Sequence, residues 1–388
     1  MLGTNMNPVF YFSVPQGDRT GGPECMHQLA DAVIRRGYRA VMVPMRGFRG
    51  RRPDPEYDIY RYETAEAITD PRNSVLVVGE VSPIESAREI RMFSSARTWL
   101  WWLSVHNGPD PRSRYFRGST ECCTFEPRVD GVPRDSLPPV SEGTQPVHAT
   151  HFADATQLGL LKEAYQRTVA SYSPSKSPRT FAVEVVSLLY NRRFIESDVG
   201  FLAQSVYAQG FCQTMLGKNA LPMTDYLRRP DIGTQPLNPN LVLYNGAKGY
   251  SMIRELAPLL PDIDFRPIEN MSYLEVCKAL ASAAAYVELG VPPGRDRLPR
   301  EAAHFGTPSV LLCRGSAYCW DDFPLPAKYR IPHVEGWAKL LAPVLSGVLA
   351  NRTGALADQA FFREWVAGDR DRYESEVDAW VERALRAF

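Results

Sequence analysis

The chain has 388 residues, which suggests two domains at roughly 150 residues each. Forty-four basic residues balance forty-four acidic ones, which excludes a strongly basic nucleic-acid binder as a whole-chain reading but leaves room for a local basic patch. Hydrophobic residues make up 44% of the chain, enough for a sizeable core, yet no apolar run approaches the ~20 residues of a membrane span.

Met1–Asn7 lacks the charged-then-apolar profile of a signal peptide, so the chain is expected in the cytoplasm. The seven cysteines are odd in number and form no C-x-x-C pair. Buried free thiols are therefore expected rather than disulfides or a zinc ribbon.

In chain order, Val9–Val14 reads as a buried strand, Pro15–Pro23 as a loop and Glu24–Arg36 as a helix ended by Gly37. Ala40–Pro44 is a second strand, which completes a βαβ unit and implies a parallel sheet. Strands follow at Ser74–Val78 and Thr98–Val105, with a helix over Ile84–Phe93 between them. Such continuous apolar strands belong to a sheet covered on both faces. Residues 108–160 are irregular and rich in Pro, Gly, Ser and Arg, which fits a long surface loop. Leu158–Tyr172 is helical, Phe201–Ser205 a short strand, and a helix starts near Val206.

Leu221–Pro239 has the composition of a linker. Beyond it a second βα series begins. Its strands are Leu241–Tyr244, Asp264–Pro267, Ala285–Leu289 and Ser309–Cys313. Its helices are Tyr250–Ala257, Ser272–Ala283 and Arg300–Phe305. Arg370–Phe388 is an amphipathic helix with Val377, Trp380, Val381 and Leu385 on one face.

In open α/β sheets ligands bind at the carboxyl ends of strands. That directs attention to Gln16–Pro23, Gly79–Pro83, His106–Pro109, Asn245–Gly249, Ile268–Met271, Gly290–Glu301 and Arg314–Ala317. Gly21 and Gly22 open the first helix and let an anion approach backbone N–H groups; an ordinary tight turn is the alternative. They do not form G-x-G-x-x-G, so a nicotinamide site has no fingerprint here. Lys248-Gly249 opens a helix of the second domain, where a lysine can neutralise a diphosphate; a solvated lysine is the bland reading. Glu288–Gly306 concentrates Arg295, Asp296, Arg297, Arg300 and Glu301 directly after an apolar strand. Arginines there suit bidentate phosphate contacts, and a solvated ion-paired turn is the alternative.

These residues resemble the GT-B glycosyltransferases, closest in style to the family 4 retaining enzymes. The shared features are Gly21-Gly22, the K-G pair in Asn245–Gly249, and Glu301 within PREAAHFGTPSVLL, where it matches the second glutamate of an E-x7-E motif. Pro293 stands where the first glutamate would be, so Asp296, Glu288 or backbone would hold the donor sugar instead. The resemblance covers Val9–Pro44 and Leu241–Cys313 best.

The resemblance implies an α/β fold of two Rossmann-like domains facing across a cleft. It implies an acceptor-side domain over 1–225 with an irregular insertion at about 108–200, and a nucleotide-sugar donor domain over 238–350. Helices in 351–388 would pack back on the first domain. Lys248 with Arg295 or Arg297 would bind the donor diphosphate, and Glu301 the ribose. Glu269 and Asn270, in Ile268–Met271, would meet the base. Gly21 and Gly22 belong to the same donor set. His106 and Asp296 are the candidate catalytic residues.

The activity implied is metal-independent, retaining transfer of a sugar from a nucleotide-diphosphate donor to a carbohydrate or lipid-linked acceptor, in surface polysaccharide synthesis. No cofactor, metal or nucleic-acid partner is implied. A GT-B sugar-nucleotide epimerase and a non-catalytic binding module are the alternatives, the latter kept open by Pro293.

Two D-x-D matches, Asp262–Asp264 and Asp369–Asp371, read as structural, the second as a helix cap. His148 and His151 lack the glutamate of a zincin. Arg46–Arg52 carries four arginines that either stay solvated or meet an acidic lipid or polysaccharide, which would allow peripheral contact with the inner face of a membrane. Trp99, Trp101 and Trp102 belong in the core by default, although Trp99 or Trp102 could stack on a sugar.

Overall fold

The computed structural model describes residues 8–18, 20–81, 83–108, 187 and 189–387. The expected helix at Leu158–Tyr172, His148, His151, Cys122 and Cys123 lie outside these residues. The chain divides into two units. Among the described residues the first takes 8–108, 187–225 and 371–387, and the second takes 226–370.

The first unit holds a parallel sheet of seven strands in the order β3-β2-β1-β4-β5-β6-β7. These are β1 (Val9–Val14), β2 (Arg39–Pro44), β3 (Glu63–Thr64), β4 (Ser74–Gly79), β5 (Thr98–Trp102), β6 (Gly200–Ala203) and β7 (Ala220–Pro222). Every residue of β1 and β5 is buried, as expected of central parallel strands. Helix α1 (Gly21–Arg35) begins three residues earlier than its periodicity suggests, so Gly21 and Gly22 form its first turn rather than a loop before it. Gly37, at φ +84°, turns the chain back toward β2. The stretch expected to be helical over Ile84–Phe93 contains a 3₁₀ turn at Pro83–Ser86 and the short helix α2 (Ala87–Ile90). Helix α3 spans Val206–Met215, with Ser205 capping it through the Ala208 N–H.

All three tryptophans of β5 are buried. Trp102 packs on Phe201 and Phe211, and Trp99 on Trp380, so neither is placed to stack on a sugar from solvent. Of the arginine run, Arg49 pairs with Glu89 at 3.1 Å and Arg51 with Asp18 at 3.5 Å.

The second unit holds five parallel strands in the order β12-β11-β10-β8-β9. They are β8 (Asn238–Asn245), β9 (Asp264–Ile268), β10 (Ala283–Glu288), β11 (Ser309–Cys313) and β12 (Arg330–Pro332). With β7 ending at Pro222 and β8 starting at Asn238, the linker is shorter than its composition suggests. Helices α4 (Gly246–Leu256), α5 (Tyr273–Ser282), α6 (Arg297–His304) and α7 (Trp337–Ala350) connect and flank the strands. The start of α5 is a capping box of Ser272 and Glu275.

Alternation along β8 divides the core between the sheet faces. Val242 and Tyr244 join α4 and α7 through Ile253, Leu256, Leu341 and Leu345. Leu241 and Leu243 join Leu280 of α5 and Ala302 of α6.

Helices α8 (Arg352–Asp358) and α9 (Ala360–Ala367) also stay with the second unit: Ala355, Phe362 and Val366 are buried in its clusters. Residues 351–370 therefore do not return to the first unit. Only the body of α10 (Asp369–Leu385) does so. Its Trp380 meets Phe10 and Trp99 edge-on, and its Glu374 and Asp378 pair with Arg36.

Among the described residues, no single helix is long and apolar enough to cross a membrane.

Candidate functional site

In the second sheet β8 lies between β9 and β10, so successive crossovers leave it in opposite directions. The carboxyl ends of β8 and β10 form the switch point at which such sheets open a crevice. Helix α4 starts at Gly246, directly after β8. Asn245–Gly249 is thus the strand end and first helical turn, not a loop, and Lys248 stands within that turn.

Lys248 forms an ion pair with Asp296, which precedes α6. Behind them Glu288, the last residue of β10, is fully buried. It accepts from the Tyr286 hydroxyl at 2.7 Å and the Gly290 N–H at 2.8 Å. Burial, and then the charge of Asp296, raise its pKa, so the carboxyl is drawn toward its neutral form. Loop and helix meet closely here: a Cβ at residue 290 would fall 2.5 Å from the Lys248 Cβ. On the other side Glu269 lies against Gly246, where a Cβ would meet its Oε2 at 3.1 Å. Asn270 follows in left-handed backbone at φ 53°, a conformation asparagine tolerates, and both residues are exposed.

Arg297 and Glu301 form a second group. The Arg297 Nε donates to Glu301 at 3.1 Å across one helical turn. Its guanidinium lies 5.0 Å from the Tyr273 ring centroid, and that of Arg228 lies 4.2 Å from it. Burial and then Glu301 raise the Tyr273 pKa and that of Cys277, the latter to about 11.

Arg295 joins neither group. It is 3% exposed and donates from Nη2 to Asp369 at 2.7 Å, while Arg300 reaches the other carboxylate oxygen at 3.1 Å. This is a buried structural ion cluster in which both arginines are committed to Asp369, so Arg295 is withdrawn from the donor set. Asp369 serves as its anion rather than as a solvent-facing helix cap. The other D-x-D match stays structural: Asp264 begins β9 at its amino end and pairs with Arg266 at 2.5 Å.

In the first unit β1 and β4 flank the corresponding switch point. Gly21 and Gly22 open α1 after β1. His106 follows β5 in a 3₁₀ turn, and its Nε2 lies 2.7 Å from the Tyr207 hydroxyl. Glu80, just past β4, is 1% exposed and accepts from the Leu103 N–H at 3.1 Å. Burial raises its pKa to about 7 against the opposing backbone hydrogen bonds.

Two residues at strand ends, Glu80 and Arg314, go beyond the sequence-derived set. Glu80 lies within Gly79–Pro83, and its only signal is an acid directly after an apolar strand. Glu288, already named as a substitute for the missing glutamate, carries the same signal as the last residue of β10. Arg314, after β11, donates to the Leu289 carbonyl at 3.2 Å beside Gly290. Among the described residues no group of three or more His, Cys, Asp or Glu could hold a metal ion.

No protein-family model matches the chain. No curated protein sequence matches it significantly. Solved structures do match across nearly its whole length. A glycosyltransferase from Rickettsia africae ESF-5 aligns at TM-score 0.52 and 9% identity, covering 98% of each chain. The apo UGT2 of Phytolacca americana aligns at 0.50 and 10% identity, covering 98% of this chain and 99% of its own. A sucrose-phosphate synthase from Thermosynechococcus elongatus aligns at 0.47 and 11%, over 98% and 97%. At these identities the likeness is one of fold: the chain has the α/β fold of GT-B glycosyltransferases, with two Rossmann-like units.

Proposed function

We propose that the protein is a glycosyltransferase that moves a sugar from a nucleoside-diphosphate donor to a hydroxyl of a carbohydrate or lipid-linked acceptor. The observation that carries this reading is the start of α4. Lys248 stands in its first turn at the β8/β10 switch point, and Gly290 leaves room for the two backbones to approach. A helix N-terminus with a lysine suits the negative charge of a diphosphate.

In the reaction the bond from the sugar anomeric carbon to the diphosphate oxygen breaks. A bond from that carbon to the acceptor oxygen forms, and the acceptor proton is released. Lys248 and the α4 amides stabilise the charge that develops on the leaving diphosphate. The ribose and base fall to Glu301, Arg297, Tyr273 and the Glu269–Asn270 loop. The acceptor is assigned to the first unit, whose strand ends carry Glu80 and His106. The motif around Glu301 favours retention, read from the anomeric configuration of the product. Synthesis of surface polysaccharide at the inner face of the membrane is the setting this reading favours.

A second reading has its own support. Pro293 replaces the first motif glutamate, and Glu301 is held by Arg297. Both fit a module that binds nucleotide without turnover.

Calorimetry against UDP, GDP, ADP and CMP, with and without magnesium, tests both. Metal-independent micromolar binding of one nucleoside diphosphate is expected, with turnover of the matching sugar donor. K248A should weaken the diphosphate by tenfold or more and leave the bare nucleoside unchanged. Equal losses for the two ligands, or no binding at all, would reject the donor-site reading. Binding without turnover of any sugar donor would select the second reading.

A further inference from the structure

The start of α4 is not an open basic site. Lys248 already has a counter-ion in Asp296, the pair being partly exposed at 34% and 15% of the side chains. Glu269 flanks the same helix start from the β9 loop. Any anionic ligand arriving here meets a lysine whose charge is taken.

Asp296 is also unusual for its position. It is the N-cap residue of α6, where an aspartate ordinarily accepts from amides in the first helical turn. Its side chain makes no such bond. The carboxylate turns instead to Lys248 of α4, 48 residues away in sequence. Its backbone N–H is satisfied separately by the Gly294 carbonyl at 2.9 Å. The side chain therefore has two resting places: on Lys248, as observed, or on the Leu298 N–H in the first turn of its own helix, where Pro299 at the next position has no N–H to offer.

Glu288 constrains the choice from behind. It is fully buried, with its oxygens taken by Tyr286 and Gly290. It cannot swing out to replace Asp296 without abandoning both hydrogen bonds in a buried site.

Building on the donor-site reading, we propose that Asp296 is an internal counter-ion that occupies Lys248 until a nucleoside diphosphate displaces it, whereupon its carboxylate caps α6. The ligand class this selects is one whose phosphate charge outcompetes a carboxylate for a single ammonium. A bare nucleoside has no charge with which to do so. The swing to the Leu298 N–H offsets part of the ion pair that is lost, which makes displacement feasible. Asp296 is thus a specificity-determining residue rather than a sugar ligand or a catalytic base.

The test is calorimetry on the full chain with UDP, GDP, ADP and the nucleoside of whichever diphosphate binds, comparing wild type, D296N, D296S, K248M and K248M/D296N. Serine caps helices well and carries no charge, so D296S controls for loss of the cap. D296N and D296S should bind the preferred diphosphate about three- to tenfold more tightly at low salt, with the gain shrinking as salt rises. Affinity for the matching bare nucleoside should not change. K248M/D296N should show no gain over K248M, because the counter-ion then has nothing to release.

Weaker diphosphate binding by D296N would make Asp296 a ligand contact and overturn the proposal. Unchanged binding, or an equal gain in the K248M background, would overturn it as well. In each of these cases wild-type binding would leave the donor-site reading intact. Failure of UDP, GDP and ADP alike to bind any variant would remove both.

Discussion

Gly290 and Lys248 approach so closely that a Cβ on residue 290 would lie 2.5 Å from the Lys248 Cβ and 2.8 Å from Glu288 Oε1. Neither neighbour can yield cheaply, because one is anchored on a helix and the other is buried. G290A should destabilise the second unit by about 1–3 kcal/mol, as overpacking does. It should also lower diphosphate affinity by tenfold or more through displacement of Lys248. Gly347, exposed in α7 with nothing within 4 Å of a built Cβ, is the control. G347A should stabilise by about 0.5–1 kcal/mol. Thermal melts and nucleotide titration of the two variants check the contrast.

Glu80 makes stability depend on pH in a defined window. Its folded pKa, about 7, lies above the ordinary value of 4.5. The folded state therefore holds the proton more tightly. That contribution is complete below about pH 4.5 and is lost as pH rises through 7, a change of about 3 kcal/mol at most. E80Q keeps a neutral carboxamide and should flatten this part of the profile. Melting temperatures of both proteins at pH 5.5 and 8.5 measure the difference, and parallel declines would contradict it.

Asp369 neutralises two arginines that are almost wholly buried. D369A strands both guanidiniums and should cost about 3–5 kcal/mol. Among the described residues Arg295 also keeps Nε and Nη1 buried without a hydrogen-bond partner. R295M removes those donors while Arg300 still pairs with Asp369, so it should cost far less than D369A and can be stabilising. Chemical denaturation of the two variants orders them.

Trp380 is fully buried in the first unit, edge-on to Phe10 at 5.4 Å and Trp99 at 6.2 Å. W380A should cost about 3–5 kcal/mol. W380F, which keeps an aromatic face, should cost less. Near-ultraviolet circular dichroism and thermal melts report the loss of packing.

Legibility followed the range of the interaction. β1 and Ser309–Cys313 are recognisable because an unbroken apolar run suits a strand buried on both faces. Ser272 and Glu275 mark the start of α5 because a capping box is written in four consecutive residues. Helix α4 reads four residues short because Gly246 and Gly249 weaken the helical signal at the turn where neighbouring groups pack close. Arg330–Pro332 is too short and proline-ended to announce a strand. The site divides in the same way. Lys248, Asp296, Arg297 and Glu301 are picked out by local charge after an apolar strand. Their pairing is not, since the partner of Lys248 is 48 residues away and that of Arg295 is 74 away. Arg295 looks like Arg297 in sequence, and only the pairing with buried Asp369 separates the buried cation from the half-buried one paired with Glu301.

The first unit is discontinuous: its sheet ends with β7, yet Trp380 and the ion pairs of Arg36 come from α10, beyond the whole of the second unit. A ribosome adding roughly 5–20 residues per second makes the second unit before α10 emerges. During synthesis the first unit therefore waits with the Phe10 and Trp99 surface uncovered, while the later-made unit has all its strands in hand. Order of emergence and order of completion are reversed, and the nascent chain's exposure to aggregation and to chaperones falls on its earliest-made half.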